Sequence, residues 1–230
     1  MSQRRTPHAV PTDAASGGRV VALSAGLDEA ALLEGLRGGK PQAQAAFFRR
    51  YHAYVERLVT RVLGFDAEVP DLVQEVFFAA LKGIDSFRGD HGALSSWLGQ
   101  IAIRTARGCI RRRKALKWLD FRPGFNLDDV PGFTPQPEER QALARAYLAL
   151  DKLPTDERLV FSLRAIEGMD VAEVCSLCEI SPATVKRKSK SAQERFFRIA
   201  NRDPVLRDWL ASRSDTLDTA PGGEDEEERE

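Results

Sequence analysis

Between positions 71 and 117 the chain sets out three surfaces of different chemistry, one after another. Asp71, Gln74, Glu75 and Phe78 recur at i, i+3, i+4 and i+7. That spacing puts two carboxylates, an amide and a bare aromatic ring on one strip of a helix. Plain solvent is a poor match for such a strip, and a protein-docking face is the better one. Residues 101–117 carry Arg104, Arg107, Arg111, Arg112, Arg113, Lys114 and Lys117 and no acid. A helix of that composition is a phosphate-binding footprint. Between the two lies FRGDHGALSSW at 87–97, which brings together Phe87, Arg88, Asp90, His91 and Trp97. Aromatic rings beside a basic helix can stack unpaired bases, and Gly89 and Gly92 permit a loop that closes around an extruded base. The competing reading makes Phe87 and Trp97 ordinary core residues, and composition alone favours it.

A second basic constellation lies near the C-terminus. Ser181-Pro182 supplies an N-cap and a first-turn proline for a helix over residues 183–200. A short helix at 170–178 precedes it, which makes the order short helix, tight turn, longer basic helix: a helix-turn-helix. In that motif the N-terminal residues of the second helix reach base edges. Here they are Ala183, Thr184, Lys186, Arg187 and Lys188. Val185, Ala192, Phe196 and Ile199 keep core spacing, so Thr184, Arg187, Lys188 and Ser191 share an outward strip. Arg187 suits guanine; Ala183 and the Thr184 methyl suit thymine. Lys186, Lys190, Arg195 and Arg198 suit phosphates.

These surfaces need positioning, and the remainder of the chain shows how. It has 230 residues, enough for two small domains with tails. Residues 1–27, rich in Ser, Thr, Gly, Pro and Ala, are expected to be disordered. A helix near 28–37 ends at Gly38-Gly39, and a longer one covers 41–63 with Phe47, Tyr51, Tyr54, Val55, Leu58 and Val62 at helical spacing. In the docking helix, Leu72, Val73, Val76, Phe77, Ala80 and Leu81 form the buried stripe. Residues 28–117 thus make a first module. Pro and Gly break the pattern over 118–137, the expected linker. A second module covers 138–202, with Leu143, Ala146, Tyr147, Leu150 and Leu153 on one amphipathic helix and Leu159, Val160, Leu163 and Ile166 on the next. Residues 203–230 are a short helix opened by Asp203-Pro204 and an acidic tail, disordered after Ser212. Strand-type alternation is hard to find, so the expected fold is all-α, with two helical domains joined by a flexible linker.

The 34 basic and 34 acidic side chains cancel, but they are segregated: residues 224–230 hold six acids and one Arg. The neutral total hides two cationic patches and an anionic tail. That tail is either solubilising, the favoured reading, or a competitor that lies on the basic recognition helix. Residues 1–11 have no apolar core for a signal peptide, and there is no apolar run of membrane-spanning length. Three cysteines do not make a disulfide framework and fit a reducing cytoplasm. Cys175 and Cys178, a C-x-x-C on a short helix, lack the further ligands of a zinc site and are expected in the core. His8, His52 and His91 are isolated, and no catalytic motif is present. No cofactor, metal or catalytic residue is expected.

DLVQEVF at 71–77, FRG at 87–89, SSWL at 95–98 and the basic run ending at Lys114 resemble region 2 of the extracytoplasmic-function (group IV) sigma factors of bacterial RNA polymerase. LDKLPTDERLVF at 150–161 and the helix-turn-helix ending SPATVKRK at 188 resemble region 4. The resemblance covers roughly residues 28–200 and includes the order and the Pro-rich linker. It implies a non-enzymatic factor, cytoplasmic, that binds core RNA polymerase and promoter DNA, with an anti-sigma factor as a further partner. By the same resemblance Asp71, Gln74, Glu75 and Phe78 face polymerase. The loop at 87–94 captures a base of the −10 element, and Trp97, Arg104, Arg107 and Arg111 hold melted strand and adjacent duplex. Ala183, Thr184, Lys186, Arg187, Lys188 and Lys190 meet the −35 element. The chain departs from the family pattern in three places. Glu179 stands where the turn usually has Gly, at a cost of roughly 1 kcal/mol. Ser189 stands where Leu is usual, and the segment beyond residue 202 is additional. Two rivals follow from the residues: a stand-alone helix-turn-helix regulator, which has no need of the strip at Asp71, and a nucleic-acid enzyme, for which no metal-ligand spacing exists.

Overall fold

The structure, a computed structural model, describes residues 29–89, 93–116 and 136–217, with side chains through 212. The N-terminal segment, Asp90, His91, Gly92, most of the expected linker and the acidic tail lie outside the described residues. Every described element is helical.

The first unit consists of α1 (Glu29–Arg37), α2 (Pro41–Leu63), α3 (Val69–Gly83), a single 3-10 turn (Ile84–Ser86) and α4 (Ala93–Leu116). Proline at the first position opens α2, and Gly64 closes it at φ 90°, its N–H returning to the Thr60 carbonyl at 2.8 Å. α3 buries Leu72, Val73, Val76, Phe77 and Ala80 as the spacing predicts, with Leu81 partly buried. Phe77 meets Phe47 edge-on at 5.4 Å, and so seats α3 on α2.

The basic helix begins earlier than expected. α4 starts at Ala93, not near residue 101, because Leu94 and Leu98 extend the buried stripe of Ile101, Ala102 and Ile110 toward the N-terminus. Trp97 therefore rides on a helix, and of the expected loop only Phe87–Gly89 is described as non-helical. The C-terminal end of α4 is tied to the loop before α3. Arg113 meets Asp66 at 2.8 Å and Glu68 at 3.1 Å, and Arg112 meets Glu68 at 3.1 Å.

The second unit consists of α5 (Pro137–Leu150), α6 (Thr155–Phe161), one π-type turn (Ser162–Ile166), α7 (Val171–Cys178), α8 (Pro182–Ala200) and α9 (Pro204–Leu217). Asp170 and Glu173 form a reciprocal capping box at the start of α7, with both hydrogen bonds at 2.8 Å. Ser181 caps α8 by accepting from the Thr184 N–H at 3.3 Å. α9 is longer than the expected stub and continues to Leu217. Leu206 anchors it in a cluster with Tyr147, Leu150, Phe196 and Ala200 from α5 and α8.

The two units share a core. Leu159, Val160, Leu163, Val174, Leu177, Cys178 and Val185 of the second unit are continuous with the buried residues of α2, α3 and α4. The sequence predicts modules joined only by a linker, and the packing between them is a finding. Its physical reason is that α7 lies between α8 and α4, so that Val174, Leu177 and Cys178 bury their apolar stripe against both units at once.

Candidate protein and nucleic-acid interfaces

Asp71, Gln74, Glu75 and Phe78 all point outward from α3. Phe78 is 64% exposed, the most exposed large apolar side chain among the described residues. Phe48 of α2 is 41% exposed and packs on the edge of the same helix through Phe77, ring centroids 4.8 Å apart. An acidic strip with protruding aromatic rings has the chemistry of a candidate protein-binding surface.

The aromatic pair at 87–97 is differently arranged from the expected stacking loop. Phe87 is buried against Trp97, centroids 5.2 Å apart, and its carbonyl accepts from Arg37 Nη2 at 2.9 Å. It braces the base of the loop and cannot stack a base in this arrangement. Gly89 lies so close over Phe87 that a Cβ would sit 2.6 Å from the ring. Trp97 is partly exposed and Arg88 is exposed, while Asp90 and His91 lie outside the described residues.

On α4, Arg111 is exposed, but Arg104 and Arg107 are engaged by the second unit, Lys114 donates to the Leu153 carbonyl there, and Arg112 and Arg113 are held by Asp66 and Glu68. Arg104 Nη2 lies 3.4 Å from Glu179 Oε2, with both side chains largely exposed. Arg107 lies 3.3 Å from Asp156 Oδ1 and donates to the Cys178 carbonyl at 3.3 Å.

On α8, Ala183, Lys186, Arg187 and Lys190 are exposed, as the spacing predicts. Thr184 is partly buried, and its hydroxyl is 2.9 Å from that of Ser181, so it serves the cap. Lys188 also differs from the outward strip: it is only 25% exposed and meets Asp156 Oδ2 at 3.4 Å. Ser191 donates to Glu157 at 3.1 Å, and Arg195 pairs with the same carboxylate at 3.1 Å. The first turn of α6 thus draws one edge of the recognition helix inward. Val185, Ala192 and Phe196 are buried below it.

The turn residue Glu179 adopts φ 58°, ψ 45°, the one non-glycine with positive φ among the described residues. A left-handed Glu costs about 1 kcal/mol. Its exposed pair with Arg104 returns at most about 1 kcal/mol.

Several seam residues are absent from the sequence reading. Arg158 is 3% exposed and donates from Nε to the Val62 carbonyl at 2.9 Å and from Nη2 to the Leu63 carbonyl at 3.0 Å, with Asp151 on Nη1. It satisfies carbonyls that the end of α2 leaves over. Arg57 and Arg61 of α2 pair with Glu167 at 2.7 and 3.2 Å. Gly99 has Leu177 and the Tyr54 hydroxyl 2.6 Å from where a Cβ would be. A signal for Arg158 existed: it shares a helical face with Phe161 and Ser162, both buried.

Thiol and tyrosine groups show inert burial. Desolvation pushes Cys178 and Cys109 up to about 11, and Tyr54 up to about 12. Glu68 goes the other way: burial raises it, but Arg113, Cys109 and Arg112 together hold it below the usual carboxylate value. No group of three or more potential metal ligands occurs among the described residues, and none of their helices is long and apolar enough to cross a membrane.

An all-helical pair of units, with a helix-turn-helix in the second and an acidic aromatic strip in the first, is an arrangement suited to DNA binding together with a protein partner. The sigma-70 region 2 family model matches residues 47–116, and the sigma-70 region 4 model matches 140–189. The ECF RNA polymerase sigma-E factor of Escherichia coli K12 is 30% identical over 184 residues, 75% of this chain and 94% of the relative. That of Haemophilus influenzae is 30% identical over 179 residues, 73% and 93% of the two chains. A solved structure of CnrH with the cytosolic domain of CnrY matches at TM-score 0.52 and 24% identity, over 75% of this chain and 96% of that one. The sigma factor RpoE of Bartonella quintana, solved with the anti-sigma factor NepR, matches at 0.51 and 19%, over 67% and 94%. The chain belongs to the extracytoplasmic-function sigma factors, the non-enzymatic factors that direct RNA polymerase to promoters.

Proposed function

We propose that the chain divides this work as follows. Asp71, Gln74, Glu75 and Phe78 of α3 dock core RNA polymerase. The loop that begins at Phe87, with Arg88, Asp90 and His91, and the α4 residues Trp97, Arg104, Arg107 and Arg111 hold the −10 element as it melts. Ala183, Lys186, Arg187 and Lys190 of α8 contact the −35 element, and Thr184 and Lys188 join them once released from the cap and from Asp156. Residues 28–117 and 138–202 are the two functional units.

The observation that carries this reading is the strip on α3. A regulator acting alone on duplex DNA has no use for a 64% exposed Phe78 among acids. An anti-sigma factor is proposed as a further partner; support comes from the RpoE relative, solved with NepR. The site of action is the cytoplasm, where the polymerase works.

Run-off transcription with bacterial core polymerase on genomic fragments tests the reading. Discrete promoter-dependent transcripts that require the chain are expected. Transcription no different from core polymerase alone overturns it.

A further inference from the structure

We infer that Arg37 of α1 is a positioning residue for recognition of the −10 element: it fixes, from outside the loop, the peptide plane on which the segment at 87–89 turns. The inference rests on the reading that the loop beginning at Phe87 holds that element.

Arg37 is presented by a rigid element. It is the last residue of α1, between the buried Leu36 and the turn at Gly38-Gly39. Gly35, half a turn earlier, brings α1 so close to α2 that a Cβ there would lie 2.6 Å from the Cβ of Ala43. The turn is closed by the Gly38 N–H on the Glu34 carbonyl and the Lys40 N–H on the Gly35 carbonyl, both at 2.9 Å. Gly39 takes the left-handed conformation at φ 65° that this ending requires.

The anchor acts on Phe87. The Phe87 N–H donates to the Ile84 carbonyl at 3.2 Å, and the ring lies on Trp97. These two restraints fix the amide before Phe87 and its side chain, but not the peptide that follows. Arg37 Nη2 supplies that third restraint by holding the Phe87 carbonyl at 2.9 Å, with ψ at 122°. A bond from a guanidinium is charge-assisted and stronger than one between neutral groups. Because the peptide unit is planar, a fixed carbonyl also fixes the opposed N–H of Arg88 and the path into Gly89. That path is narrow: a Cβ on Gly89 would lie 2.6 Å from the Phe87 ring and 2.7 Å from the Ala93 Cβ. An extruded base is read by stacking and by hydrogen bonds to its edge, both of which demand a fixed backbone. The region 2 match begins at residue 47, so this positioning comes from an element ahead of it.

The test uses core polymerase reconstituted with the full natural chain, with Arg37→Ala or with Arg37→Lys. Each holoenzyme transcribes two template pools, one randomised at the −10 positions and one at the −35 positions. Arg37→Ala should lower sequence selectivity in the first pool by roughly fivefold or more, within the usual range of coupling between linked sites. Selectivity in the second pool, affinity for core polymerase and helical content should not change, and Arg37→Lys should restore most of the lost selectivity. Unchanged −10 selectivity in Arg37→Ala overturns the inference. A parallel loss in both pools overturns it too, since a merely structural arginine would weaken every function together. A salt slope of promoter binding reduced by about one unit would make Arg37 a phosphate contact and not a positioning residue. Absence of −10 selectivity in the natural chain would instead bring down the underlying assignment of the loop, which keeps the two failures apart.

Discussion

Glu179 holds its place against its own backbone, and glycine there would remove the crowding between Cβ and carbonyl. The gain is about 1 kcal/mol, and the lost pair with Arg104, 61% and 57% exposed, is worth less than about 1 kcal/mol. Glu179→Gly should therefore leave stability equal or raise Tm by roughly 2–4 °C. A fall of several degrees in calorimetry would show that the pair outweighs the strain. Glu68 poses the opposite electrostatic question. Its folded pKa lies below the ordinary 4.5, held there by Arg113, Cys109 and Arg112 despite burial. Its contribution is fully present above pH 4.5 and is lost as pH falls through the folded value. Glu68→Gln should lower Tm at pH 7, and the difference from the natural chain should shrink on acidification. A difference that stays constant from pH 7 to pH 3 would exclude the ion-paired carboxylate as its source.

At the scale of elements, α3 and α8 present surfaces that separate folding from binding. Glu75 is exposed opposite the buried stripe, so Glu75→Lys should leave the helical content unchanged. It should weaken binding to core polymerase by about 1–3 kcal/mol, since the reversed charge would be desolvated against the partner. Unchanged affinity in a pull-down would move the docking face elsewhere. On α8, Arg187→Ala should cost roughly 1–3 kcal/mol and relax preference at one promoter position, whereas Lys190→Ala should weaken binding to all sequences alike and reduce the salt slope by about one unit. Titrations across a set of single-base promoter variants at two salts distinguish the two roles. Equal loss of specificity in both variants would end the division into base and phosphate contacts.

The elements also show what was legible beforehand. The helical stripes of α2, α3 and α8 are period patterns, and Val76, Phe77, Val185 and Phe196 are buried where the period puts them. Outward side chains were legible for the same reason, since they are what the stripe leaves over. Local sequence does not carry the pairing of distant carboxylates with those side chains. Lys188 belongs to the outward strip by spacing, but Asp156, 32 positions earlier, turns it inward. Composition leaves Phe87 and Trp97 open between stacking and core; the structure buries Phe87 against Trp97 and leaves Trp97 partly exposed. Glu179 showed as a departure from the expected glycine, but its partner Arg104 is 75 positions away.

Across the whole molecule the buried Arg158 binds one unit to the other through the end of α2. Arg158→Met would leave the Val62 and Leu63 carbonyls without their donor, and each buried acceptor left unsatisfied costs about 1–3 kcal/mol. The expected outcome is a chain with native helical content and an increased radius of gyration in small-angle scattering. An unchanged radius would show that the apolar core alone holds the units together.

The same arginine bears on how such a protein can be recombined. Its two carbonyl acceptors belong to the first unit, while its guanidinium and Asp151 belong to the second, so neither half carries a complete arrangement of its own. A chimera that joins this second unit to the first unit of a distant relative would inherit a buried cation and depend on foreign carbonyls to meet it. Promoter specificity is therefore transplanted more safely by exchanging only the exposed residues of α8, such as Arg187 and Lys190, than by exchanging whole units. Where whole units must be exchanged, the end of α2 has to travel with Arg158.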